Sequence, residues 1–414
     1  MSRGFRRRQL TLAALALNAV RPMARGRSAI AGFVLGWPVS ELAPHLLALS
    51  AVDTAAELTV RRRRSAPSMT GMVAAGAAAG LLGYSIAGAR RVGTELDQAL
   101  RDSIGDGYLD QIDLPGPLDL RLPRGSVARP FSFRQRDVEV LKDIPYTEGG
   151  RRAHLDVYRP KGRDLSRAPV LIQIHGGGWT IGNKEEQGLI LMNRMAQQGW
   201  ICVSANYRLA PKHRFPTQII DVKRAIAWVH EHIAEYGGDP SYVVVTGGSA
   251  GGHLSALAAL TPGLADFQPG FEDSDTSVSA CVPFYGVYDL AGMTEDKPAI
   301  EMRDRFLGPR VFGKDPRTDL DAFIQASPLA HVNEHTPDFF VIHGRNDTLV
   351  SVNQARAFVK ALKERSDASV TYAELPGAQH AFDVFSSIRS QHTIAAVQRW
   401  LQWHRATHQG TMAE

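Results

Sequence analysis

The most constraining stretch of this 414-residue chain is Tyr242–Gly252. A tyrosine and three valines run straight into Gly247-Gly248-Ser249-Ala250-Gly251-Gly252, and an alanine-rich segment follows. A β-branched run predicts a buried strand and the alanines predict a helix, so Ser249 falls at a strand-to-helix turn. A serine there must take a strained backbone conformation. Gly247 and Gly251 flank it where a β-carbon would collide across the turn. The same placement aims the Ala250 amide, at the helix N-terminus, toward any negative charge that develops beside Ser249. Ser249 is therefore the candidate nucleophile.

A second glycine cluster, His175-Gly176-Gly177-Gly178-Trp179, follows the apolar run Val170–Ile174. Three glycines at a strand end let backbone amides converge on one point, which suits stabilisation of an oxyanion. Gly177 and Gly178 are the expected donors together with Ala250, with Gly176 and His175 organising the loop. No phosphate-loop or dinucleotide fingerprint surrounds the cluster. A serine nucleophile needs a base and a group that orients it, and in a strand-turn-helix site of this kind they follow in the order Ser, Asp, His. Phe339–His343 leads into Asp347, and Val370–Leu375 leads into His380. Asp289 comes too early in that order, and His343 lies within a strand.

From about residue 130 onward short apolar runs alternate with helical patterns, the signature of a mostly parallel sheet covered on both faces. Eight strands are expected: Val138–Pro145, Ala153–Tyr158, Pro169–Ile174, Ile201–Ala205, Tyr242–Thr246, Ala280–Tyr285, Phe339–His343 and Val370–Leu375. Helices are expected between them, for example over Gln218–Glu235 and His253–Leu260. The long segment Asp289–Asn333 contains Pro298, Phe306, Phe312 and Phe323. It reads as a cap insertion that lines an acyl or alcohol pocket.

His175–Trp179, Asn206-Tyr207-Arg208-Leu209-Ala210-Pro211, Gly238-Asp239-Pro240 and Gly247–Gly252 together resemble the hormone-sensitive-lipase-like group of esterases. The resemblance covers about residues 130–405. It implies the α/β-hydrolase fold, with an eight-stranded sheet whose first strands are antiparallel, and a serine carboxylester hydrolase that forms an acyl-enzyme without metal or cofactor. The chain departs from the group at Gly248, where members often carry Asp or Glu. In this it resembles a neighbouring branch that includes membrane-associated actinobacterial esterases with similar N-terminal leaders. The expected substrate is a short- to medium-chain acyl ester or a lipid ester. An amidase or arylformamidase with the same triad, and a non-catalytic binding member of the fold, stay open at this level.

Residues 1–101 carry 14 Arg, no Lys and five acids, a local charge of +9 in a chain whose total is +5. Arginines interleaved with apolar runs predict a membrane surface as partner, not nucleic acid. Thr70–Ala89 has no charge, contains Gly76-x-x-x-Gly80 and is flanked by Arg61–Arg64 and Arg90–Arg91. A membrane-embedded helix is the first expectation there; a surface-lying helix and a helical subdomain off the membrane stay open. The expected organisation is a helical, membrane-associated region over 1–105, a linker or wrapping arm over 106–130, and a catalytic domain over 131–406 with its cap at about 289–333. Localisation at the membrane or cell envelope follows, with the cytoplasm as alternative. The two cysteines, Cys202 and Cys281, read as buried thiols. Oligomeric state is not legible.

Overall fold

The computed structural model describes residues 3–23, 28–59, 68–112, 123–133 and 135–412. Arg61–Arg64 and residues 113–122 of the expected linker lie outside these residues. Eight strands form one sheet: β1 (Val138–Pro145), β2 (His154–Pro160), β3 (Ala168–Ile174), β4 (Ile201–Ala205), β5 (Gly238–Gly248), β6 (Ala280–Phe284), β7 (Asp338–Gly344) and β8 (Val370–Leu375). Their order is β1-β2-β4-β3-β5-β6-β7-β8. β2 runs antiparallel to β1 and β4, and every other pairing is parallel. The expected strands are all present, with ends shifted by a few residues; β5 is longer at both ends, and β6 stops one residue before Tyr285.

The helices are α1 (Arg3–Val20), α2 (Ser28–Glu41), α3 (Ala43–Thr59), α4 (Met69–Ile104), α5 (Arg124–Ala128), α6 (Leu189–Gln197), α7 (Thr217–His232), α8 (Ala250–Leu260), α9 (Lys297–Met302), α10 (Leu320–Gln325), α11 (Val352–Arg365) and α12 (Ile388–Met412). Strand side chains alternate between the two faces, so Val170, Ile172 and Ile174 of β3 enter one core while Leu171 enters the other. The first core packs under α7, α8 and α11. The second packs under α6 and α12, and it also takes Val92, Leu96 and Leu100 from the end of α4. Helix α4 starts at an N-cap, where Ser68 Oγ accepts from the Gly71 amide at 3.3 Å, and ends at Gly105 with φ +90°. One long helix thus belongs to two bodies of structure. Its last third is a layer of the sheet domain, while Leu82 joins Ala16, Ala19, Val39 and Ala43 in a separate small core.

Among the described residues α4 is the one single helix long and apolar enough to cross a membrane, and α2 with α3 reaches that length only as a pair bent by 78°. No other part of the described residues approaches Gly76 or Gly80 of α4 within 4 Å of where a β-carbon would sit. Between β6 and β7 the chain forms α9, a π-helical segment Arg303–Phe312, and α10. Phe312 and Phe323 are buried, stacking at 4.3 Å inside the first core. Phe306 alone of the three reaches the glycine loop, its Cζ lying 3.3 Å from where a β-carbon on Gly178 would be.

Candidate active site

In a parallel sheet the chain order reverses where successive crossovers leave on opposite sides, and ligands bind outside the strand C-termini at that crevice. Here β3 lies between β4 and β5, so the reversal falls at β3 and β5. The loop His175–Gly178 leaves β3 and Ser249 leaves β5, with Ile174 in register with Gly247. Ser249 sits between β5 and α8 at φ +59°, a left-handed conformation rare for a non-glycine residue. Its amide donates to Phe284 O at 3.0 Å, tying the turn to β6. A β-carbon on Gly247 would stand 2.5 Å from Ile174 O, and one on Gly251 would run into the same carbonyl. Strand β3 and helix α8 approach that closely only because both positions are glycine.

The glycine loop abuts the serine: a β-carbon on Gly176 would lie 3.3 Å from Ser249 Cβ. Gly177 and Gly178 both have positive φ, +113° and +58°. His175 organises the loop from beneath. Its Nδ1 donates to Gly176 O at 2.7 Å and its ring stacks on Tyr207 at 4.2 Å. Burial pulls its pKa down to about 4, the bond to Gly176 offsetting only part of this, so the ring is neutral near pH 7. Trp179, itself at φ +59°, donates its indole N–H to His253 Nδ1 at 3.1 Å. His253 Nε2 in turn donates to Ala326 O at 2.8 Å.

Asp347 and His380 meet on the loops after β7 and β8, with Asp347 Oδ2 accepting from His380 Nδ1 at 2.7 Å. The other carboxylate oxygen accepts the amides of Leu349 and Val350 at 2.9 and 2.8 Å. Burial opposes ionisation of Asp347, yet His380 and His343 outweigh it and hold the carboxyl below the usual carboxylate range. Gln379 Oε1 accepts the amides of both Thr348 and His380, locking the two loops together. With Nδ1 committed to Asp347, the ring nitrogen left for a substrate proton is Nε2. His343 is fully buried in β7, and its Nε2 lies 3.3 Å from Asp347 Oδ2 and 3.1 Å from Val350 O. That nitrogen is taken up by these two oxygens. Asp289 is consumed by its own turn, accepting the amides of Gly292, Met293 and Thr294.

Sequence reasoning missed Tyr285 and Asp383. The Tyr285 hydroxyl donates to Asp383, and its ring lies 4.6 Å from that of His380. A β-carbon on Gly248 would stand 2.5 Å from the same hydroxyl. Tyr285 therefore occupies the space that a larger residue before Ser249 would need, and a carboxylate reaches this spot from residue 383. Nothing in composition or period marks such an exchange; only the proximity of 383 to 380 in the chain hinted at it. Cys202 and Cys281 are buried and unbridged.

The order of this sheet, with its antiparallel start and its crevice at the third and fifth strands, defines the α/β-hydrolase class. The BD-FAE family matches residues 155–362. The Mycobacterium tuberculosis protein named probable carboxylic ester hydrolase LipM is 46% identical over 402 residues, covering 94% of this chain and 90% of the relative. Esterase LipQ of the same organism is 44% identical over 318 residues, 76% of this chain and 75% of its own. Among solved structures, an esterase from Thermogutta terrifontis with propionate bound is 25% identical at a TM-score of 0.53, covering 64% of this chain and 94% of its own. The chain belongs to the BD-FAE family of α/β-hydrolases, and like these relatives it is a carboxylic ester hydrolase.

Proposed function

We propose that Ser249 Oγ attacks the ester carbonyl, that His380 Nε2 takes its proton and returns it to the leaving alcohol, and that Asp347 holds the imidazole tautomer and stabilises its cation. The Gly177, Gly178 and Ala250 amides receive the oxyanion of the tetrahedral intermediate. Water, activated by His380, then releases the acyl group from Ser249. The observation that carries this reading is the strained Ser249 on the same sheet edge as the 2.7 Å pair of His380 and Asp347. Residues 131–406 are the catalytic domain, with residues 289–333 as a cap whose Phe306 overhangs Gly178. Residues 106–130 are an arm tied down where the Ser386 amide donates to Pro130 O at 3.0 Å.

Residues 1–105 attach the enzyme to a membrane surface. Among the described residues, 12 of the 16 large apolar side chains left exposed belong to this region, including Ile30, Val34 and Leu35 of α2 and Val73 of α4. Helix α2 is apolar on both faces, a pattern of helices with no aqueous side. The arginines supply attraction to anionic headgroups. The substrate is an ester with a short- to medium-length acyl chain, carried by a lipid or partitioned near one; the bound propionate of the Thermogutta relative supports the short acyl end.

The full chain in detergent, assayed on p-nitrophenyl esters from acetate to palmitate, tests the chemistry. Ser249→Ala is expected to lose activity on every ester by at least about a thousandfold. A folded Ser249→Ala protein that keeps its activity overturns the assignment.

A further inference from the structure

The N-terminal helices touch the site itself. Phe33, Trp37 and Glu41 recur every four residues along α2 and so form one row on its surface. That row faces the loops after β7 and β8. The Trp37 indole N–H donates to Ala381 O at 2.8 Å, 344 residues away in sequence. The Phe33 ring meets the His380 ring edge-on, with centroids 5.8 Å apart. Phe33 stacks on Trp37 at 5.2 Å, and Trp37 stacks on Phe385 at 4.7 Å. Glu41 is buried against Arg389, and it accepts from Ser387 at 2.7 Å. The loop of Asp347 is held in the same way, Asn346 Nδ2 donating to Val20 O at 3.3 Å and Thr348 Oγ1 to Ala29 O at 3.0 Å. Both loops that flank the Asp347–His380 bond thus end on α1 or α2.

The residue that Trp37 grips is Ala381, which follows His380 directly and stands at φ +58°. An alanine keeps a left-handed conformation only where its surroundings over-determine it. Ala381 O is an acceptor, the indole N–H is a donor and nothing else, and their bond is made to the strained residue itself. If the peptide after Ala381 relaxes, the backbone that aims His380 turns with it.

We propose that α2 is a component of the catalytic centre: Trp37 is a positioning residue that fixes His380 through Ala381, and Phe33 packs against the imidazole to hold its plane. This rests on the assignment of His380 as base made above. The inner row of α2 serves catalysis, while its outer row, Ile30 and Val34, is exposed. The N-terminal region is then not a detachable anchor, because the esterase reaches full turnover only with α2 docked.

The test uses the full chain in detergent with a short p-nitrophenyl ester, reading kcat, KM, and the rate at which a fluorophosphonate labels the protein. Trp37→Phe keeps the ring stacking and removes the donor. It is expected to lower kcat and the labelling rate in parallel by about tenfold, with KM within about twofold of wild type. Ala31→Gln, at an exposed position of the same helix, is expected to change none of the three. Phe33→Leu leaves the Trp37 bond in place and is expected to lower kcat about threefold; it carries the test if the Trp37 variant does not accumulate. Wild-type kcat and labelling in the variants obtained overturn the proposal, whatever happens to Tm. Equal losses in Ala31→Gln also overturn it, since any damage to α2 would then suffice. Ser249→Ala run alongside separates the two readings: if it retains activity the triad assignment falls, and if it alone is inactive only the role of α2 falls.

Discussion

His253 links three parts of the site, and acid should break that link at a calculable cost. It lies one turn into α8, its amide donating to Ser249 O at 2.9 Å, between the indole of Trp179 and the carbonyl of Ala326. The indole N–H only donates and the carbonyl only accepts, so the ring must be neutral with its hydrogen on Nε2. A proton on Nδ1 would face another N–H across 3.1 Å. Burial accordingly brings the pKa down from 6.5 to about 4, with the bond to Ala326 opposing only in part. Because the folded value lies below the unfolded one, the unfolded chain binds the extra proton. Stability is complete above the unfolded pKa of 6.5 and is lost as pH falls toward 4. Between pH 7 and pH 5 this histidine costs about 2 kcal/mol, and His175, shifted to the same value, costs about as much again. His253→Gln keeps a donor for Ala326 and an acceptor for Trp179 but does not titrate. Urea unfolding of both proteins at the two pH values should show the wild type losing about 2 kcal/mol more than the variant. Equal losses in the two proteins would refute the neutral, doubly held His253 described above.

Two further substitutions test the packing around the proposed triad. Gly248→Ala drives a β-carbon into the Tyr285 hydroxyl, and that ring cannot retreat without pressing on His380 or leaving Asp383. A loss of about 1–3 kcal/mol in thermal stability together with a fall in kcat is expected; full activity and an unchanged Tm would show that Tyr285 moves freely. Arg389→Met strands the buried Glu41 carboxylate without its partner, which should cost about 3–5 kcal/mol. Adding Glu41→Leu should recover most of that in thermal unfolding, and no recovery would mean that the pair is not the source of the loss.

The sheet was legible because its strands are runs of β-branched and aromatic residues, and neighbours in sequence decide a strand or a helix. Ser249, Asp347 and His380 could be nominated for a related reason: each lies within a few residues of a strand end that the pattern already marked. Tyr285 also lies beside a strand end, but its meeting with Gly248 and Asp383 depends on how three separate loops stack. The N-terminal region was harder. An apolar helix face looks the same in sequence whether lipid or protein covers it, so α2 read as part of a membrane leader, and the end of α4 gave no sign that Leu96 and Leu100 enter the sheet domain. Phe312 and Phe323 misled in the opposite sense. Aromatics in a long insertion suggested a pocket lining, and they fill the core beneath it instead.

The bond from Trp37 to Ala381 joins residues 344 positions apart. On the ribosome Trp37 emerges before every strand of the sheet and Ala381 after all of them. Helix α2 must therefore wait, with its inner row uncovered, through the synthesis of every strand of the sheet. During that interval the nascent polypeptide holds its serine turn and its glycine loop but lacks the bond behind the proposed base, so on the role proposed for α2 full turnover waits until residue 381 has emerged.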